Sequence, residues 1–424
     1  MKRFARIAIK WTLIAGGAYW LSTTLIFGDE SIDADTGMYN YRWSGLDALF
    51  NKEKFGLAVR EPVVAEFEGP DGPYILDGHR YAVGRDKAFH RASISAGQAF
   101  NVEVDNPDQD KFQFALRASH SVEDDTYPMP KRLIAISDIE GNYDAFYSFL
   151  VKNGVMDKDY QWTFGDGHLV LNGDFVDRGT EVSEVLWLIY ALEEKAKAHG
   201  GKVHFILGNH EIMNMQGNSS YADMKYIAAA QKISGLKGWN QATQFLYSEK
   251  SETGRWLRTK NVAEKIGPYI FVHGGLNMSQ VDAGLTLPEM NQIARQFYGK
   301  KMSESPVSGK AAIALSRYHS PYWDRSLSMN LLLQGTFLMR DPLNAPLRRT
   351  TQEELDKVLA HFGAGTVVVG HTVVNQVQFD YGGKVIKMDV KHGRDKDSPN
   401  TQGFLIEGGK AFRVDGLGGK TELK

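Results

Sequence analysis

The stretch HLVLNGDFVDRG, residues 168–179, decides how the chain is read. Its first half is a short apolar strand, and its second half is a polar tip that puts Asp174, Asp177 and Arg178 at one strand end between glycines. Two acids and an arginine crowded onto one turn are hard to explain as surface decoration, and the neighbouring strands carry matching tips. RLIAIS, 132–137, runs into Asp138 and Glu140 of SDIEGN, and KVHFILGN, 202–209, ends in Asn209 and His210 of GNHE. YIFVHGG, 269–275, presents His273, and GTVVVGHT, 365–372, presents His371. Read singly, an Asp-x-Glu tip is a solvated turn and a histidine between glycines is structural. Five such tips in order, each closing a strand, argue for convergence, because layered α/β folds bind ligands at the carboxyl ends of their strands.

Converged, these tips supply carboxylate, amide and imidazole donors for two divalent cations, a set suited to manganese, iron, zinc or magnesium and excluding sulfur sites. Two such ions clamp a phosphoryl group and activate water. Between the strands, TEVSEVLWLIYALEEKAKA, 180–198, has helical spacing at Val185, Leu188, Ile189 and Leu192, and a further helix is expected over about 142–153. Residues 213–258 read as a polar helical insertion whose Tyr221, Tyr226 and Trp239 either stack on a base or sugar or pack on the domain. Gly382-Gly383 and Gly408-Gly409 mark hairpin turns.

The 424 residues have a formal net charge of −2 and no cysteine, which removes disulfides, thiolate sites and any global attraction to nucleic acid. Lys2, Arg3, Arg6 and Lys10 precede an uncharged run that lasts until Asp29. This predicts a signal anchor or transmembrane helix at 1–28, with the remainder extracytoplasmic, periplasmic in a Gram-negative cell, or secreted if the signal is cleaved. A stalk or irregular segment is expected at 29–62, a small β-rich domain at 63–120, an acidic joint SVEDDTYPMPK at 121–131, and the main domain at 131–417.

GDFVDRG, GNHE, HGGL and GHT together resemble the signature blocks of the calcineurin-like metallophosphoesterases, in their phosphoprotein-phosphatase branch. RWLRTKNVAEKIGPYIFVHGGL and SPYWDR most resemble the bacterial-type Shewanella-like phosphatases. The resemblance implies a four-layer α/β/β/α sandwich and a phosphatase that hydrolyses phosphate monoesters by direct attack of a bridging hydroxide. It implies that Asp138 ligates the first metal, Asp174 bridges both, and Asn209, His273 and His371 complete the second. It further implies that His210, steered by Asp177, protonates the leaving oxygen while Arg178, with Arg325 of SPYWDR as a second clamp, holds phosphate oxygens.

The family pattern at the first tip is Asp-x-His-Gly, and Glu140 stands where the histidine belongs. As a ligand it makes the site more anionic by one charge, which favours manganese or magnesium and moves the pH optimum upward. Manganese is therefore the first expectation, with magnesium, zinc or iron as alternatives. A phosphorylated protein is the expected partner; small phosphoesters such as nucleotides or diadenosine polyphosphates are the alternative. A second alternative is a metal-binding pseudo-phosphatase scaffold at the membrane.

Overall fold

The computed structural model describes residues 2–423 apart from 28, 34–37, 44–54, 63, 96, 302–306, 342–344 and 346–347. Two six-stranded mixed sheets form the centre. In the first, Arg132–Ile136 pairs in parallel with His168–Asn172, which pairs in parallel with Lys202–Ile206. The antiparallel strands Gln402–Glu407, Lys410–Asp415 and Lys420–Glu422 extend the other side. In the second, Tyr269–Val272, Thr366–Val369 and Val385–Lys387 run parallel, flanked by Gln378–Asp380 on one side and by Ala263–Ile266 and Thr126–Tyr127 on the other.

The apolar strand pattern follows from burial on both faces. Leu133, Ala135, Val170 and Ile206 of the first sheet cluster with Ile266, Phe271, Val368 and Ile386 of the second. Their neighbours Ile134, Ile136, Leu169 and Leu171 point the other way, into a cluster with Phe146 and Phe149 of the helix Tyr143–Lys152 and Val185, Leu188, Ile189 and Leu192 of the helix Val182–Ala198. On the outer face of the second sheet, Ile270, Val272, Val367 and Val369 meet Leu355, Val358 and Leu359 of the helix Gln352–Phe362. All five expected strands are present. So are both helices between them, and Gly408-Gly409 turns a hairpin with both residues at positive φ, 59° and 74°.

Three features differ from expectation. Among the described residues no helix is long and apolar enough to cross a membrane. The segment expected to anchor does form a helix, Lys2–Phe27. Within 29–62, of which 34–37 and 44–54 lie outside the described residues, Asp29–Ile32, Met38–Trp43 and Phe55–Pro62 pair as an antiparallel sheet rather than a stalk. The acidic joint contributes Thr126–Tyr127 as an edge strand of the second sheet. The β-rich stretch that follows residue 63 holds a three-stranded sheet, Asp71–Leu76, His79–Val83 and Phe89–Ser93, and a hairpin, Ala99–Glu103 with Lys111–Ala115. Its Phe100, Val102, Phe112 and Phe114 enter the same core as the Val182–Ala198 helix, where Phe114 stacks on Trp187 at 4.1 Å between ring centroids.

Candidate metal centre

The five strand tips meet at one end of the paired sheets. The first two loops are laced together by backbone bonds from Asp138 N to Gly173 O at 2.9 Å, Glu140 N to Asp174 O at 3.0 Å and Gly179 N to Glu140 O at 2.8 Å. Asn172 ties the sheets to each other, its Nδ2 donating to Val272 O at 2.9 Å across the interface. Six residues singled out in the sequence, Asp138, Glu140, Asp174, Asp177, Arg178 and His371, hold φ between 50° and 70°. Left-handed backbone is uncommon for residues other than glycine and concentrates where a fold imposes strain for function.

Ligand-type atoms of Asp174, His273 and His371 lie within 4.8 Å of one another, and all three side chains are buried. Asp138 stands at the edge of this group, its Oδ1 3.9 Å from His273 Nε2. His273 Nδ1 lies 2.8 Å from the carbonyl of Asn172, which places the proton there and leaves Nε2 facing the carboxylates, 2.9 Å from Asp174 Oδ2. The glycines beside the ligands keep space for neighbouring ligands. A Cβ at Gly208 would sit 2.1 Å from Asp174 Oδ1, and one at Gly370 would sit 2.5 Å from Asp138 Oδ2.

Asn209 Oδ1 and His371 Nε2 are buried and make no hydrogen bond, and His273 Nε2 faces the Asp174 carboxylate. Buried polar atoms are seldom left so, and the grouping of His273 and His371 with Asp174 fits a divalent cation. The electrostatics agree. Burial and then the neighbouring Asp389 push the Asp138 carboxyl well above its usual range. Burial pulls His273 down, but the carboxylates of Asp174 and Asp138 drive it up to about 10. Acids this crowded call for positive charge. Burial, Arg325, His273 and His210 pull His371 well below its ordinary value, which keeps it the neutral imidazole that a metal requires.

His210 and Asp177 form a second unit beside this one. His210 Nδ1 is 2.6 Å from Asp177 Oδ2, and Asn214, four residues along the same helix, donates from Nδ2 to Asp177 Oδ1 at 2.8 Å. Burial lowers the His210 pKa, yet Asp174 and Asp177 outweigh it, so the imidazole is held above its ordinary value.

Glu140 and Arg178 were expected to reach metal and phosphate respectively; here they form an ion pair with each other at the rim. Arg178 is also 5.3 Å from the ring centroid of Tyr221, which packs edge-on against His210. Of the three aromatic residues picked out in the insertion, only Tyr221 stands at the site; Tyr226 and Trp239 are buried. Arg325 donates to the His371 carbonyl and, at 2.9 Å, to Thr372 Oγ1, so it braces the last tip, and its charge acts on Asp389, Asp174 and Asp138.

Sequence reading passed over Asp389 and assigned no role to Glu211 or Asn214. Asp389 follows the strand Val385–Lys387 as His371 follows Thr366–Val369, and the two strands are parallel neighbours. Burial raises its carboxyl to about 7, with His273 opposing the shift and Asp174 adding to it. The signal was the run VIKMD, one more apolar strand ending in an acid. Glu211 is fully buried and accepts from four backbone N–H groups: Gly208 at 2.8 Å, Asp174 at 3.0 Å, Phe175 at 2.7 Å and Val176 at 3.3 Å. It pins two ligand loops to each other. Glu211→Ala leaves those donors buried and unpaired, so it is expected to cost at least about 3 kcal/mol of stability, read from urea unfolding. A loss under about 1 kcal/mol would show that the loops hold their shape without it.

Residues 131–375, more than half of the chain, match the calcineurin-like phosphoesterases, and the chain belongs to that family. Among its relatives, Shewanella-like protein phosphatase 2 of Arabidopsis thaliana is 27% identical over 195 residues, 38% of this chain and 50% of that one. Shewanella-like protein phosphatase 1 of Plasmodium berghei is 25% identical over 248 residues, 57% of this chain and 61% of that one, so the chain spans under two thirds of either relative. A solved structure, the cold-active protein-tyrosine phosphatase of a psychrophile Shewanella species, superposes with a TM-score of 0.68 at 29% identity, covering 85% of this chain and 100% of that one.

Proposed function

We propose that the protein is a metal-dependent phosphatase that cleaves phosphate monoesters on proteins through a two-cation site within a four-layer domain. The observation that carries the reading is the meeting of Asp174, His273 and His371, with His371 Nε2 unsatisfied, beside the His210–Asp177 pair. Asp174, Asn209, His273 and His371 would hold one cation. Asp138 and Asp174 would hold the other, with Asp389 as the oxygen donor in place of the family histidine, since Glu140 is turned to Arg178. When bound, such cations polarise phosphoryl oxygens and lower the pKa of water.

The chain's own groups supply the rest. Asp177 fixes the ring of His210 with Nε2 free to carry a proton to the departing oxygen, and Asn214 fixes Asp177. Arg178 is half-exposed and, among the described residues, its side chain is tied to those of Glu140 and Tyr221, so an incoming phosphate dianion competes for it. Arg325 braces His371 and Thr372 through Nη1, and its charge acts on Asp389, Asp174 and Asp138, which keeps it as the second phosphate clamp.

The proteins named as phosphatases of proteins among the relatives support a phosphoprotein substrate. The purified chain, reconstituted with manganese, magnesium, zinc or iron, should cleave phosphotyrosyl or phosphoseryl peptides with higher kcat/KM than nucleotides or dinucleoside polyphosphates. Preference for the nucleotides would give the site to small phosphoesters. No hydrolysis with any of the metals would leave the scaffold reading.

A further inference from the structure

A second cavity, of about 720 Å³, opens between the helical insertion and the C-terminal end of the helix Leu287–Phe297. That is within the range of sites that enclose small ligands, roughly 300–1,000 Å³. Four cations line it, Lys250, Arg258, Arg295 and Lys300, against a single acid, Glu249. The lining therefore carries a net charge of four minus one, or +3, on a chain whose overall charge is −2.

Local structure poises the cations. Arg258 spends Nη1 on the carbonyls of Tyr247 at 2.6 Å and Gly254 at 2.9 Å, while Glu249, itself 83% exposed, comes only within 3.8 Å of its Nε. A Cβ on Gly299 would come within 2.9 Å of Arg258 Nη2, so a glycine there leaves the guanidinium its room. Lys250 and Lys300 lie over the rings of Phe245 and Phe297, 5.4 and 5.2 Å from the centroids, with no carboxylate partner among the described residues. Below them the wall is apolar, from Met215, Leu236 and Phe245, and Gln241, Gln244 and Gln296 add amide donors and acceptors.

These cations come from separate elements and are interleaved with apolar and amide groups, a pattern that matches acidic side chains, an apolar side chain and a peptide backbone. The cavity also adjoins the catalytic machinery. Met215 in its wall ends the helix that begins with Asn209 and His210, about 9 Å away along the axis.

We propose that this cavity docks an acidic segment of the phosphoprotein substrate, carboxylates on the four cations and an apolar side chain against Phe245 and Leu236. The proposal rests on the phosphoprotein reading above, but its test does not need catalysis. The probe is a fluorescein-labelled heptapeptide of six acidic residues around one leucine, followed by anisotropy on the full chain, with a control in which glutamines replace the acids. The acidic peptide should bind, more weakly as salt rises, and the control should not.

The double variant Lys250→Glu/Lys300→Glu should lose about tenfold or more in affinity for the acidic peptide. It should keep the wild-type kcat/KM for p-nitrophenyl phosphate, a substrate with no segment to dock. Equal binding of both peptides, wild-type affinity in the double variant, or no binding at all would overturn the proposal. Displacement of the peptide by equimolar inorganic phosphate would overturn it too, in favour of a small-anion site. Peptide binding without hydrolysis of any phosphopeptide would strike the phosphatase reading alone; hydrolysis without binding would strike the docking site alone.

Discussion

Asp174→Asn is expected to strip the protein of bound manganese and to lower kcat/KM for phosphomonoesters about 10³-fold, the loss of several kcal/mol of charge stabilisation. The size follows from where the carboxylate sits. Oδ2 faces His273 Nε2 at 2.9 Å, and Oδ1 accepts the backbone N–H of His210 at 3.0 Å. An amide turned to suit either neighbour puts a donor toward the other or toward the cations. Burial raises the Asp174 pKa, but His273 and His210 outweigh it and keep the group ionised in the folded chain, as a ligand must be. The variant should remain folded, because Glu211 still holds the backbone of that loop. Equilibrium dialysis with manganese, alongside kinetics, checks both halves; wild-type metal content would remove Asp174 from the ligand set.

The second large effect concerns the proton. His210→Asn should lower kcat by about 10²–10⁴-fold, with KM little changed and with metal content retained. The loss should depend on the leaving group: small for p-nitrophenol, which departs unaided, and large for an alkyl alcohol or a serine side chain. Asp177→Asn should show the same dependence in weaker form, because it disturbs the orientation of His210 Nδ1 at 2.6 Å without removing the imidazole. A uniform loss across leaving groups would mean that His210 acts on phosphate binding and not on the departing oxygen.

Much of this was legible in the sequence because strands buried on both faces are continuous apolar runs, and their ends announce themselves by an abrupt change to glycine and charge. That signal located Asp138, Asp174, Asn209, His210, His273 and His371. It missed Asp389, whose strand Val385–Lys387 is short and whose acid has no adjacent glycine. Pairings between tips were beyond it as well. Nothing in SDIEGN says that Glu140 will meet Arg178, and nothing in SPYWDR says that Arg325 will brace the carbonyl of His371. The strands at 29–62 carry polar and aromatic residues mixed, which masked their pairing, and Thr126–Tyr127 is too short for any periodicity. At the N-terminus a basic start and an uncharged run look like an anchor, while among the described residues no helix is long and apolar enough to cross a membrane.

On the proposed reading the chain holds two cations, with Asp389 as an oxygen donor where the family has a histidine. The direct test is the number of manganese ions held per chain after exhaustive dialysis, counted by plasma mass spectrometry for wild type and for Asp389→Asn. Two ions are expected for the wild type and one for the variant. One ion or none in the wild type, or two in both proteins, would contradict it.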